Sequence, residues 1–189
     1  MSDNSFVYKK IADDFEQFLK SNKDDFCHDE KCDTREVTET IKKFFGEYFS
    51  KSFKVFTSNN ANEFLYDITV LNCNPKEILS DSAVIPHIYL VAESELGGSG
   101  ANSSKALLQN LSEDFFKILQ SSAEFRIFIG INDAENITER IQLFQTAYEK
   151  MNQKNPILLI LIEGERNKDV KGNQIQIDSN LKISNCILN

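Results

Sequence analysis

Three acids set into apolar segments are the residues of this chain best placed to do chemistry. Asp67 interrupts Phe64-Leu65-Tyr66-Asp67-Ile68-Thr69-Val70-Leu71, and Glu93 and Glu95 follow Ile88-Tyr89-Leu90-Val91-Ala92. Side chains alternate along a strand, so Glu93 and Glu95 share one face. If the two segments pair as a hairpin, Asp67 lies across the ladder from Glu93, with Cβ atoms about 4.5–5.5 Å apart. Carboxylates that close repel unless one is protonated or a cation lies between them. An all-oxygen set of this kind suits Mg²⁺ or Mn²⁺, which keep several waters. The same acids also have a plainer explanation. Asp67 shares its face with Leu65 and Thr69 and can look into solvent from a half-exposed sheet. Glu93 and Glu95 stand just before Gly97-Gly98-Ser99-Gly100, where a strand would end in water.

The elements that must position these acids follow from hydrophobic spacing. Phe6, Ile11, Phe15, Phe18 and Leu19 recur at helical intervals. Ser21 to Asp33 is polar and reads as a connecting loop. Asp33 or Thr34 can cap a second helix whose stripe is Val37, Ile41, Phe44, Phe45, Tyr48 and Phe49. Phe53, Val55 and Phe56 then mark a short strand, Phe64 to Leu71 a second, and Pro86 to Leu96 a third that turns abruptly acidic. A helix is expected from about Ser103 to Gln120, striped by Leu107, Leu108, Leu111, Phe115, Ile118 and Leu119. Phe125 to Ile131 and Ile157 to Ile162 are nearly continuous apolar runs, as expected of strands covered on both faces. Asn136 to Met151 forms a helix between them. The tail, with Ile175, Ile177, Leu181, Ile183 and Ile187, alternates weakly and suggests a short hairpin. The order α-α-β-β-β-α-β-α-β predicts an α/β (α+β) protein with a mixed sheet and helices on its faces.

The 189 residues suit a single compact domain, read as an acidic N-terminal helix and loop over 1–33 and a core over 34–189. Apolar residues are 41% and charged residues 26%, which excludes wholesale disorder. The longest apolar run, Ile157 to Ile162, is too short to span a bilayer, and Met1 to Asn4 does not begin a secretion signal. The expectation is a cytoplasmic protein with no membrane contact. Its four cysteines, Cys27, Cys32, Cys73 and Cys186, are then expected as reduced thiols. Cys27-His28-x3-Cys32 looks like part of a zinc site, but no second pair follows at zinc-finger spacing. His28 and His87 are too isolated to argue for histidine acid–base chemistry.

The net charge of −8 argues against a protein that coats nucleic acid. The charge is uneven, however. Residues 1–40 carry eleven acids and six bases, or −5, leaving −3 for the remainder. Lys42, Lys43, Lys51 and Lys54 cluster with only Glu47 among them and can contact phosphates, or simply form a solvated helix face. Gly97-Gly98-Ser99-Gly100 lacks the Lys-Ser/Thr of a phosphate-cradling loop and reads as a turn.

Taken in order, these residues resemble the PD-(D/E)xK nuclease superfamily, the restriction-endonuclease-like fold. That family places an Asp at the start of one strand and a Glu or Asp, one spacer and a Lys on the next. A helix and a further strand follow. The matching residues are Asp67, then Glu93-Ser94-Glu95, then Ser112-Glu113-Asp114-Phe115-Phe116-Lys117-Ile118-Leu119, then Phe125 to Ile131. The helix over about 34–50 matches the leading helix of the family, so the resemblance covers roughly residues 34–132, in pattern rather than identity. Glu95 stands where most members have Lys, and Tyr66 where a Pro usually precedes the Asp. A minority of restriction enzymes likewise carry Glu-x-Glu with a Ser spacer.

The resemblance implies that Asp67, Glu93 and the backbone carbonyl of Ser94 hold Mg²⁺ or Mn²⁺. It implies that Glu95 orients or deprotonates water for in-line attack on a phosphodiester. Lys117 or Lys105, on the following helix, would supply the missing cation, with Lys117 otherwise a surface partner of Glu113. Gln109, Lys105, Lys42 and Lys43 would touch the nucleic-acid backbone. The implied function is a metal-dependent DNA endonuclease; a restriction or other defence system is the implied setting, and cleavage of both strands would favour a homodimer. The alternatives are an inactive module that keeps the nuclease fold for binding, and a regulatory α/β domain without a nucleic-acid ligand.

Overall fold

The structure, a computed structural model, describes residues 3–28, 31–58, 65–79, 85–97, 104–133, 137–166 and 175–189. Phe64, the Gly98-Ser99-Gly100 part of the glycine turn, Ser103 and Asn136 lie outside the described residues.

Helix α1 (Asp3–Ser21) buries Tyr8, Ile11, Ala12, Phe15 and Leu19, a stripe at i, i+3 and i+4 spacing. Phe6, expected in that stripe, is 70% exposed, and Tyr8 holds its place in the core. Helix α2 (Thr34–Phe49) starts as its sequence demands. The Asp33 carboxylate accepts from the amides of Arg35 and Glu36 at 2.8 and 3.3 Å, satisfying two of the open donors of the first turn. Val37, Ile41, Phe44, Phe45 and Phe49 form its buried face. Phe15 of α1 packs edge-on against Phe44.

The segment expected to be a loop before α2 contains a small hairpin, β1 (Cys27–His28) and β2 (Lys31–Cys32). Its register sets Cys27 directly opposite Cys32, and the two are joined by a disulfide. The expectation of four reduced thiols therefore holds only for Cys73 and Cys186. Spacing alone hid this pair because strands of two residues carry no alternation to read.

The remaining strands are β3 (Lys54–Thr57), β4 (Ile68–Leu71), β5 (Ile88–Glu95), β6 (Phe125–Asp133), β7 (Ile157–Arg166), β8 (Ile175–Asp178) and β9 (Ile183–Leu188). Among the described residues, four helices flank one nine-stranded mixed sheet in the order β1-β2-β8-β7-β6-β5-β4-β3, with β9 also on β7. Strands β5, β6 and β7 are parallel to one another, and their other neighbours run antiparallel. The tail does not pair with itself as a hairpin. Strand β9 lies along Ile157–Ile162 of β7, and β8 along Gly164–Arg166.

Helices α3 (Ser104–Gln120) and α4 (Ile137–Lys150) cover one face, where Phe115 of α3 and Phe144 of α4 close on Phe128 of β6. Tyr8 of α1 meets Phe125, whose parity in β6 is opposite to that of Phe128. The central strands are thus covered on both sides, as their unbroken apolar runs require. Leu108, expected in the apolar stripe of α3, is instead exposed. Gly130 allows α3 to approach closely. A Cβ there would stand 3.0 Å from Cδ2 of Leu111.

Candidate functional site

The acids meet at the end of the sheet where β5 and β6 finish. Strand β4 begins at Ile68, later than the apolar run suggests, because Leu65 adopts φ 70° and the chain enters the strand from a turn. Ile68 pairs with Ala92, and Asp67, just before the strand, is close enough for its charge to act on Glu93. Glu93 and Glu95 are in register with Phe128 and Gly130 on the neighbouring parallel strand. They therefore lie on the face covered by α3, and Lys117 of that helix reaches Glu93. The C-terminal ends of parallel strands are a common location for ligand sites in such sheets.

Each carboxylate has a different environment. One oxygen of Asp67, Oδ2, accepts from the backbone N–H of Ser94 at 2.9 Å and from its hydroxyl at 3.0 Å. The Oε1 of Glu95 accepts from the backbone N–H of Gly97 at 2.7 Å. Glu93 is only 2% exposed, and its Oε1 has no hydrogen-bond donor. The nearest cation is the Lys117 ammonium, 3.5 Å away. Burial, reinforced by the Asp67 charge and partly offset by Lys117, pushes the Glu93 carboxyl up to about 8. Glu95 is raised as well, again by burial first, although the Gly97 amide acts against the shift.

Lys117 does not pair with Glu113 as helical spacing suggested. Its ammonium lies 2.6 Å from Oδ1 of Asp114, one turn back. Burial disfavours the charged form of Lys117, but the bond to Asp114 and the attraction of Glu93 outweigh it and raise the pKa. Asp114 is therefore a fourth acid of this site, one that sequence reasoning passed over. It lies inside the helical segment matched to the family, and its spacing of three from Lys117 was the available signal.

The predicted phosphate contacts are distributed differently. Lys105 and Gln109 are exposed on α3. Lys43 is exposed on α2, its ammonium 6.0 Å from the centre of the Phe18 ring. Lys42 is buried at 7% exposure and donates to the Ser58 hydroxyl at 2.7 Å. Thr57 pairs with Ile68, so Ser58 and Lys42 belong to the same end of the sheet as Asp67. Lys43 and Lys42 line a groove of about 460 Å³ with Glu39, Thr40, Gly46, Glu47 and Thr57.

Among the described residues, no three His, Cys, Asp or Glu side chains form a group that could hold a metal ion. Asp67 accepts from Ser94 and Glu95 from Gly97, so both carboxylates are engaged by the backbone of the β5 end. The donor chemistry nevertheless fits a hard cation. Glu93 presents a buried oxygen whose charged neighbour is the Lys117 ammonium at 3.5 Å, and among the described residues the hydrogen bonds of Asp67 fall on Oδ2. Among the described residues no helix is long and apolar enough to cross a membrane. Comparison with protein-family models, with curated proteins and with solved structures finds no match to this chain.

Proposed function

We propose that this chain is a metal-dependent endonuclease of the restriction-endonuclease-like fold, hydrolysing phosphodiester bonds of DNA. The observation that carries this is Glu93: a carboxylate buried in the sheet, with Asp67 just before β4 and the Lys117 ammonium 3.5 Å from its Oε1. A protein gains no stability from such a group, and perturbed buried acids of this kind mark functional sites. The chain order supports the same reading. Helix α2 leads, Asp67 stands immediately before β4, Glu93-Ser94-Glu95 ends β5, and α3 and β6 follow.

On this reading Asp67, Glu93 and the backbone carbonyl of Ser94 would hold Mg²⁺ or Mn²⁺, which would supply charge stabilisation at the phosphate oxygens and acidify water. Glu95, raised above the usual carboxylate range, accepts a proton from the attacking water. Lys117 presents its ammonium to the phosphate from α3, in place of the lysine that Glu95 replaces. Lys105 and Gln109 lie exposed on the same helix to meet the backbone, and Lys43 extends the contact from α2. Cleavage of both strands would use a homodimer with two such sites. The reading places the protein in the cytoplasm, a compartment where a disulfide such as Cys27–Cys32 is uncommon.

The test is cleavage of duplex and single-stranded DNA with Mn²⁺ or Mg²⁺. Asp67→Asn and Glu93→Gln should each reduce it by roughly 100-fold or more. Cleavage that survives both substitutions rejects the assignment. A second reading, an inactive module that keeps the fold for binding, is favoured by one observation. Asp67 and Glu95 are already engaged by the backbone amides of Ser94 and Gly97. Nucleic-acid or protein binding without cleavage in any metal would select it.

A further inference from the structure

We propose that the Cys27–Cys32 disulfide is a redox-sensitive clasp: a dithiol that reduces it opens the β1–β2 hairpin and loosens the first turn of α2, while the rest of the sheet stays folded. The link joins residues directly opposite in register, Cys27 on β1 and Cys32 on β2. Each strand has two residues, and β2 meets the sheet through the pairs Lys31–Asp178 and Cys32–Ile177 with β8. A two-stranded hairpin is marginal in water even when it is longer than this. The covalent link therefore supplies much of what holds the hairpin closed.

The hairpin runs straight into α2. Asp33 follows Cys32, donates its amide to the carbonyl of buried Phe26 at 2.9 Å and accepts from the amides of Arg35 and Glu36. On the other strand, Nε2 of His28 lies 3.8 Å from Oε2 of Glu36. Opening the clasp thus acts on a helix cap as well as on a sheet edge. The central strands lie apart from it, with Ile157 to Ile162 of β7 buried between β6 and β9. Cys27 is the more exposed partner and Cys32 is buried, so the reagent enters at Cys27. A thiolate of the dithiol attacks Cys27 Sγ, the Cys27–Cys32 bond breaks, and Cys32 leaves as a thiolate that takes a proton from solvent. The second thiol of the reagent, losing its proton, displaces Cys27 as a thiolate that is protonated in turn, and the reagent closes its own disulfide. Two electrons and two protons pass from dithiol to protein, and a small disulfide oxidant reverses the exchange.

The test is backbone NMR of the intact native chain with and without dithiothreitol. Alkylation and mass measurement after denaturation should count two free thiols before reduction and four after it. In the reduced protein the carbon shifts of Thr34 to Glu36 should move toward random-coil values, and the resonances of Ile157 to Ile162 should hold their positions. Native-state cleavage by trypsin after Lys31 should become roughly tenfold faster, the order set by releasing a short closed loop. Oxidised glutathione should restore both. Cys73→Ser/Cys186→Ser should cycle like wild type, and Cys27→Ser/Cys32→Ser should resemble the reduced protein in either buffer. The proposal is overturned by four free thiols in the untreated, oxidised chain, or by a disulfide that dithiothreitol reaches only after denaturation. It is equally overturned if confirmed reduction leaves Thr34 to Glu36 unmoved, or if Ile157 to Ile162 move with them, which would make the link a staple of the whole fold.

Discussion

Replacing Glu93 by Gln should make this protein more stable at alkaline pH and reduce its stability loss between about pH 5 and pH 8. Glutamine keeps the volume and polarity of the side chain but cannot ionise. In the folded chain the Glu93 carboxyl titrates near 8, against an ordinary value of 4.5. Between those limits the unfolded chain has released this proton and the folded chain still holds it. The folded state binds more protons there, so raising the pH favours unfolding until the folded carboxyl ionises; above that the penalty is constant. At 1.36 kcal/mol for each tenfold change in proton affinity, the rise corresponds to roughly 5 kcal/mol. Water entry and relaxation around the ionised group reduce this to about 2–3 kcal/mol, still a large fraction of a typical domain stability. The assay is urea unfolding of wild type and Glu93→Gln at intervals across this range, with a chelator present so that no divalent cation contributes. Wild type should lose stability as pH rises, and the variant should lose about 2–3 kcal/mol less. Identical pH dependence in the two proteins would refute the reasoning, because it would show that Glu93 ionises in the folded state at no cost.

Two further outcomes follow from groups away from the site. Arg126 is only 1% exposed and donates to the Leu119 carbonyl, the Gln153 side chain and the Asn155 carbonyl. Arg126→Leu should cost about 3 kcal/mol in urea unfolding, since these acceptors lose a shared charged donor; a cost within experimental error would show that water replaces the guanidinium. Alkylation of the denatured, unreduced protein should modify Cys73 and Cys186 only, and reduction should release Cys27 and Cys32 and lower stability by roughly 2 kcal/mol.

The sequence by itself determined most of the local structure. The carboxylate of Asp33, followed by an apolar stripe, fixed where α2 begins, because a first turn needs an acceptor for its open amides. The unbroken run Ile157 to Ile162 could only be a strand covered on both faces, and every one of its residues is buried. Alternation placed Glu93 and Glu95 together on one face, and the assembled fold made it the face that α3 covers. Spacing was less informative where elements were short or boundaries depended on the backbone. The β1–β2 hairpin had too few residues to show a period, and the turn at Leu65 moved the start of β4 to Ile68. The tail strands showed the right alternation but not their partner, since the edge that accepts them belongs to β7.

The electrostatics of the candidate site were decided by tertiary structure alone. Sequence named Asp67, Glu93 and Lys117 but could not show that Asp67 turns to Ser94, that Lys117 chooses Asp114 over Glu113, or that Lys42 is buried against Ser58. Nor could it show that Glu93 is enclosed with an oxygen left without a donor. Periodicity reports which face a side chain takes, because that follows from local backbone geometry. Burial, hydrogen-bond partners and proton affinity depend on what other segments bring to that face. For Glu93 those are β4, β6 and α3, which meet it only when the sheet is assembled.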